Sequence, residues 1–426
     1  MRAWTTVAIN SFGGPAGQIA AMHDEVVERR GWVEETSFLH ALNFCMLLPG
    51  PEAQQLATYL GWMTKGFRGG LLAGGLFIVP GFISILLLSI LYAEWGDVAW
   101  VEGLFYGIAP AVIVIVAHAV ARIGGRTLKN ATMAAVAAAA FIALFFYGLP
   151  FPLIVLGAGL LGFFGARMWP DTFVEIRSHD VAATDPASIR WTRTALTIAV
   201  GLALWLVPVL VIVLVTGADS VWSDIATFFS QAAVVTFGGA YSVLAYMAQQ
   251  AVEVYGWLQP GEMVDGLGLA ETTPGPLIQV TQFVGFLGAH RNPGGLSPLT
   301  AGTLGALLTV WVTFVPSFLF ILAGAPYVER LRNRPSLSGA LSTITAAVVG
   351  VVLNLGAWFA IYVLFEEVAV RERLGARLLV PTMATIDWLA VAIAVAAALA
   401  LFRWNARIIH VVGSAALLGL AIGLIP

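Results

Sequence analysis

Ionised side chains are scarce in this chain. Only 11% of its 426 residues are Asp, Glu, Lys or Arg, where a soluble globular domain carries about 25%. With 59% of residues hydrophobic and a mean hydropathy of +0.88, too little polar surface is available to clothe a water-soluble body. The 21 Lys and Arg are balanced by 24 Asp and Glu and form no basic patch, which excludes nucleic acid as a partner. A single cysteine, Cys45, lies in an apolar run. It can form no internal disulfide and is too isolated for a metal cluster, so plain packing is its role. No Gly-x-x-x-x-Gly-Lys-Ser/Thr segment occurs, so ATP drive from within the chain is not expected. Neither a His-Glu-x-x-His nor a Gly-x-Ser-x-Gly run is present, which weakens an intramembrane hydrolase reading. No cofactor motif occurs. No cleavable signal peptide is expected, because Ser11-Phe12-Gly13-Gly14-Pro15 interrupts the first apolar stretch.

What the chain has instead is long apolar runs, and we read it as an all-α polytopic membrane protein. A bilayer core takes about 20 apolar residues per helix, and on that ruler about thirteen spans can be marked. They lie near 1–22, 36–62, 69–93, 100–122, 131–147, 150–168, 194–217, 224–250, 262–288, 298–324, 340–365, 386–402 and 406–425. The most hydrophilic long stretch runs from Arg167 to Arg193 and contains Asp171, Glu175, Arg177, Asp180, Asp185 and Arg190. It suggests three regions: 1–168, then 169–223 as a linker with one connecting span, then 224–426.

Two of the runs carry the same interruption. Leu48-Pro49-Gly50-Pro51-Glu52-Ala53-Gln54-Gln55 sits inside the second, and Thr272-Thr273-Pro274-Gly275-Pro276-Leu277-Ile278-Gln279 inside the ninth. Proline removes a backbone donor and its ring clashes with the preceding turn, so a helix should break at both. At membrane depth such a break is tolerated only inside protein or beside a cavity. The spans at 1–22, 36–62, 224–250 and 262–288 are therefore expected to be broken or re-entrant.

The matches extend further. Ser11-Phe12-Gly13-Gly14 returns as Thr236-Phe237-Gly238-Gly239, Gly31-Trp32 as Gly256-Trp257, and Pro49-Gly50-Pro51 as Pro274-Gly275-Pro276, each 225 positions later. Gln54 and Gln279 correspond at the same offset. Phe77-Ile78-Val79-Pro80-Gly81-Phe82 resembles Thr313-Phe314-Val315-Pro316-Ser317-Phe318, now 236 positions later. One insertion near Arg291-Asn292-Pro293 explains the change of offset. The chain reads as a duplicated unit. An odd number of spans from the start of one copy to the start of the next would invert the second copy, an architecture that places a substrate site between the repeats near the midplane. The Lys/Arg groups at 65/68, 122/126/129, 167–193, 330/332/334 and 403/407 then fall on one side, which favours a cytoplasmic N-terminus.

A helix that restarts after a break presents unpaired N–H groups and the positive end of its dipole, a ready anion site. Gly50 and Gly275 would open the two Pro-Gly-Pro breaks, while Gly13, Gly14, Gly238 and Gly239 would let backbone approach a ligand closely. Ser11, Gln54, Gln55, Thr236, Thr272, Thr273 and Gln279 would add neutral donors. Helix packing through small residues is the plainer account of the Gly-Gly pairs. Several ionisable residues lie at depth, where charge is expensive. Glu52 falls in the first turn after its break, where the dipole favours the carboxylate and where it could simply cap the helix. Glu271 falls in the last turn before the other break, where dipole and burial both oppose its charge, making it the stronger candidate for proton coupling. At the 225 offset Glu52 maps onto Leu277 and Glu271 onto Met46, so the two acids are not equivalent in sequence. His118 could relay protons or satisfy a structural hydrogen bond. His40 corresponds to Asp265. The segment His23-Asp24-Glu25-Val26-Val27-Glu28-Arg29-Arg30 reads as a solvated helix end or interfacial segment rather than a metal site; no metal or cofactor is expected.

Ser11-Phe12-Gly13-Gly14-Pro15-Ala16-Gly17-Gln18, Leu48-Pro49-Gly50-Pro51-Glu52-Ala53-Gln54-Gln55-Leu56-Ala57 and Glu271-Thr272-Thr273-Pro274-Gly275-Pro276-Leu277 resemble the two-domain chromate transporter family of bacteria, from about residue 5 to the C-terminus. The resemblance implies an inner-membrane carrier that exports chromate and confers chromate resistance, with sulfate, a tetrahedral dianion of similar shape, as competitor. Membrane lipid is the surrounding partner, and a homodimer is compatible with the reading. An inward proton gradient would favour export by antiport, and a negative-inside potential pushes anions outward. The alternatives are a sulfate or other oxyanion transporter on the same scaffold, a channel, and a membrane-bound chromate reductase.

Overall fold

The computed structural model describes residues 1–12, 14–96, 98–173, 191–237, 239–327, 335–373 and 375–424. Gly13, Gly238, most of the polar linker (Glu175, Arg177, Asp180, Asp185 and Arg190 among it) and the arginines at 330, 332 and 334 lie outside the described residues. The first half runs α1 (Arg2–Ile9), α2 (Gly14–His23), α3 (Glu35–Leu47), α4 (Glu52–Trp95), α5 (Ala99–Thr127), α6 (Ala131–Phe145), α7 (Phe151–Met168) and the single turn α8 (Pro170–Phe173). Then come α9 (Trp191–Thr216), α10 (Val221–Val235), α11 (Ala240–Gln249), α12 (Pro260–Thr272), α13 (Val280–Arg291), α14 (Pro298–Gly324) and α15 (Pro335–Leu364). A hairpin of β1 (Val368–Arg373) and β2 (Ala376–Pro381) precedes α16 (Trp388–Ala398) and α17 (Ile408–Gly423). Among the described residues, six helices are long and apolar enough to cross a membrane, α4, α5, α7, α9, α14 and α15, with shorter apolar helices beside them. The chain is an integral membrane protein built of helices.

The helices stop where sequence chemistry stops them. Before α4, Leu48 and Pro51 are extended (ψ 148° and 105°), and Gly50 takes φ 128°. Before α13, Thr273 and Pro276 are extended (ψ 152° and 129°), and Gly275 takes φ 103°. The two Pro-Gly-Pro segments follow one backbone path, and only glycine adopts its central conformation without strain. Gly14 (φ 68°) and Gly239 (φ 99°) open α2 and α11, and a π-helical turn follows each helix, over Asp24–Arg29 and Gln250–Val254.

Three features depart from a reading of uniform spans. The segments near 36–62 and 69–93 are not separated by a loop. They join through α4, whose path bends where Lys65 (φ −141°, ψ 23°) and Gly66 (φ 62°, ψ −156°) leave helical geometry. The corresponding helices α13 and α14 are separated by residues 292–297, where the offset changes. Finally, the all-helical reading misses the hairpin, which pairs Val368 with Pro381 through Arg373 with Ala376. Arg377 anchors it, donating its backbone N–H to the Phe146 carbonyl (2.6 Å) and its guanidinium to Glu253 (2.7 Å).

The apolar core is centred on the second half. Every residue of α13 from Val280 to Ala289 is buried, as is most of α11 and α12. α5, α10, α14 and α15 surround them. α9 is the reverse case. Trp205 is its one buried residue among those described, held by Nε1 donating to Ser230 Oγ (3.0 Å), and the remaining apolar faces suit lipid.

Candidate functional site

The two kinds of break meet across the halves of the chain. The Gly50 N–H donates to the Thr236 carbonyl (2.8 Å), and the Gly275 N–H donates to the Ser11 carbonyl (3.3 Å). Donors and acceptors correspond at the 225 offset, so each Pro-Gly-Pro segment is stitched to the Gly-Gly segment of the other half. Side chains reinforce the crossing. Ser317 Oγ donates to Gln54 Oε1 (2.5 Å), Gln279 Nε2 donates to the Ile78 carbonyl (2.9 Å) and Gln18 Nε2 donates to the Gly275 carbonyl (2.7 Å). Gly81, the counterpart of Ser317, leaves the space that Gln279 fills. A Cβ there would overlap Gln279 Oε1 and come within 2.6 Å of the Pro274 carbonyl.

The two acids, unrelated by sequence offset, reach corresponding places. A Cβ on Gly239 would lie 3.3 Å from Glu52 Oε1, and a Cβ on Gly14 would lie 3.2 Å from Glu271 Oε2. Gly14 begins α2 and Gly239 caps α11. Each carboxylate therefore sits against the N-terminal end of a half-helix from the other half, where the dipole favours negative charge. This changes the electrostatic account of Glu271. Its own helix α12 opposes ionisation, but α2 supports it. Glu271 is fully buried; Tyr241 Oη donates to Oε1, and Oε2 has no hydrogen-bond partner among the described residues. Glu52 is half-buried.

Apart from Gln279, which reaches across to Ile78, the expected neutral donors are engaged locally. Ser11 Oγ donates to the Val7 carbonyl (2.5 Å) and Thr236 Oγ1 to the Ala232 carbonyl (2.6 Å), again corresponding positions. Thr272 Oγ1 donates to Leu269 (2.9 Å) and Thr273 Oγ1 to Ala270 (3.3 Å). Gln55 Nε2 donates to the Pro49 carbonyl (2.7 Å) and Gln54 Nε2 to Thr58 Oγ1 (3.0 Å). Hydroxyls on helices turn back to the preceding turn in this way. Among the described residues, the buried side-chain atoms left without a partner at the centre are the acceptors Gln55 Oε1, Gln279 Oε1 and Glu271 Oε2.

His118 stands apart from this cluster. It is half-buried on α5 with Phe402 edge-on at 5.3 Å. In the charged segment at the end of α2, His23 hydrogen-bonds Glu35 (2.5 Å), and Arg29 with Asp24 (2.9 Å) and Arg30 with Glu25 (2.6 Å) form ion pairs. Among the described residues, no group of three or more His, Cys, Asp or Glu is placed to hold a metal ion. Gln18, Gly81, Tyr241 and Ser317 join the centre although sequence reasoning did not select them. The signal for Gly81 and Ser317 was available, since both lie in the matched Val-Pro-Gly/Ser-Phe segments. Nothing local marks Tyr241.

A family model described as chromate transporter matches residues 1–163 and 223–420. The chain is 31% identical over 348 residues to the chromate transport protein of Pseudomonas aeruginosa, covering 80% of this chain and 76% of that one. It is 30% identical over 363 residues to the probable chromate transport protein of Synechococcus elongatus, covering 81% of each. It is 28% identical over 342 residues to the chromate transport protein of Cupriavidus metallidurans, covering 80% and 77%. No solved structure matches the chain.

Proposed function

Since the chain belongs to the chromate transporter family, we propose that it is a secondary active transporter that exports chromate across the bacterial inner membrane and so confers resistance. In this reading the halves are inverted copies, the N-terminus is cytoplasmic, sulfate competes with chromate, and the oxyanion binds between the halves at the paired breaks. The observation that carries it is the seating of Glu52 and Glu271 on half-helix N-termini of opposite halves. A helix end whose dipole favours a carboxylate favours a tetrahedral oxyanion on the same ground.

Carboxylate and oxyanion are then alternatives at one place. Protonating a carboxylate weakens its hold on the helix end, so by linkage it favours oxyanion binding. Gly14 and Gly239 matter because a side chain there would occupy the contact. With one proton bound per chromate dianion, the loaded carrier moves one net negative charge outward. A negative-inside potential favours that step by about 2.3 kcal/mol per 100 mV. A pH gradient, alkaline inside, opposes the accompanying proton by about 1.4 kcal/mol per unit. The geometry thus favours the potential as the drive, ahead of proton antiport.

The test is efflux from chromate-loaded proteoliposomes under imposed potassium diffusion potentials. Negative-inside potential should accelerate efflux, excess sulfate should slow it, and labelled chromate should show saturable counterflow. Efflux indifferent to potential, or current without counterflow, would refute the proposal.

A further inference from the structure

Away from the breaks, a cavity of about 560 Å³ opens between the ends of α4, α13 and α15 and the starts of α5, α12 and α16. Its walls run inward from a polar rim. On α12 they go from Glu262 to Asp265, on α13 from Arg291 to Leu287, on α4 from Gly96 to Tyr92, and on α5 from Glu102 to Pro110. At the inner end, Tyr92 Oη donates to Asp265 Oδ2 (2.9 Å).

The rim does not suit an oxyanion. The Arg291 guanidinium is spent on both Glu262 oxygens (2.5 and 2.7 Å) and on the Trp257 carbonyl (2.6 Å). His290 faces Glu94 (3.3 Å) and Tyr106 donates to Asp387 (2.7 Å); Tyr362 of α15 completes the titratable lining. Glu102, Glu262 and Asp265 outnumber the one arginine, so the cavity attracts cations and repels dianions. Past Asp265 the path narrows. A Cβ on Gly268 would run into Ile108 and lie 3.3 Å from Val112, and Leu267, Leu269 and Ala270 are buried. Glu271 lies six residues further along the same helix, about 9 Å of rise.

We propose that this acidic cavity is the proton route to the transport centre from one side of the membrane, with Asp265 holding the proton at its inner end. The proton passes from bulk water to the Asp265 carboxylate and, when the Ile108–Gly268 contact loosens, through water to the Glu271 carboxylate. The oxyanion uses a different path. The proposal rests on the proton-linked reading given above, and it assigns a role to a carboxylate that the breaks themselves do not use.

Two measurements on the full chain in proteoliposomes test it. The first compares the response of chromate flux to an imposed pH gradient with gradient-free chromate counterflow, for wild type, Asp265→Asn and Glu271→Gln. Asp265→Asn should lose the pH response and keep counterflow. If Asp265→Asn keeps the response while Glu271→Gln loses it, the cavity route is overturned and the proton-linked reading stands. If both variants keep it, that reading falls as well. The second measurement is independent of transport. In a Cys45→Ala background, Ala109→Cys on the cavity wall should react faster with a cationic thiol reagent than with an anionic one of similar size. Equal rates, or a faster anionic reagent, would overturn the assignment.

Discussion

Gly239→Ala probes the seat of Glu52 with a single methyl group. Gly239 holds φ 99° and ψ 169°, a region essentially reserved for glycine, where another residue costs on the order of 1–3 kcal/mol. The added Cβ would also lie 3.3 Å from Glu52 Oε1, so the carboxylate must give way by a few tenths of an ångström. Glu52 is half-buried and can swing, so the backbone term is the larger one for stability, while the displaced carboxylate is what transport should register. Gly31→Ala and Gly256→Ala are the controls. Both glycines have positive φ (57° and 63°), and no heavy atom lies within 4 Å of a Cβ built on either. They carry the left-handed cost of about 1–2 kcal/mol alone. Thermal unfolding in detergent should therefore fall modestly for all three variants, and somewhat more for Gly239→Ala. Chromate flux per folded molecule should fall sharply for Gly239→Ala and stay near wild type for the controls. Wild-type flux from Gly239→Ala, or equal loss in all three, would refute the claim that this glycine clears a seat for the carboxylate.

Other expectations follow from single contacts. Gly81→Ala drives a methyl into Gln279 Oε1 and toward the Pro274 carbonyl, so the Gln279–Ile78 bond should break and leave a buried amide unpaired, at about 1–3 kcal/mol; a thermal melt checks the cost and a flux assay the loss of transport. Ser317→Ala removes the donor to Gln54 Oε1, leaving a buried acceptor at a similar cost of about 1–3 kcal/mol, again read by melting. Arg377→Ala, by contrast, breaks a partly exposed pair with Glu253 (38% and 24% side-chain exposure), worth about 0–1 kcal/mol, and chromate flux should be unchanged. A marked loss of flux there would show that the hairpin takes part in transport.

Much of the scaffold was legible because proline and glycine act locally. The Pro-Gly-Pro breaks, the positive φ at Gly50 and Gly275, and the lengthening near Arg291 all follow from residue chemistry or from a shift in offset. The hairpin was hidden because Val368-Ala369-Val370 is a run of three apolar residues between Glu366-Glu367 and Arg371, too short for a strand pattern to stand out. The commitment of Ser11, Thr236 and Thr272 to carbonyls one turn back was foreseeable, since helical hydroxyls have that acceptor within reach. The seating of the acids was not. Glu52 and Glu271 lie at non-corresponding positions, one after its break and one before. Only the crossing of the halves brings each to a glycine of the other. Local dipole reasoning therefore judged Glu271 by its own helix and missed α2, which faces it.

The most direct test of the account is chromate binding as a function of pH, over the alkaline range where chromate stays a dianion. Wild type should bind more tightly as pH falls, because protonation removes the carboxylates as competitors for the helix ends. The double variant Glu52→Gln, Glu271→Gln should bind chromate with little dependence on pH. A double variant that keeps the wild-type pH dependence would contradict the claim that these carboxylates and the oxyanion share one site.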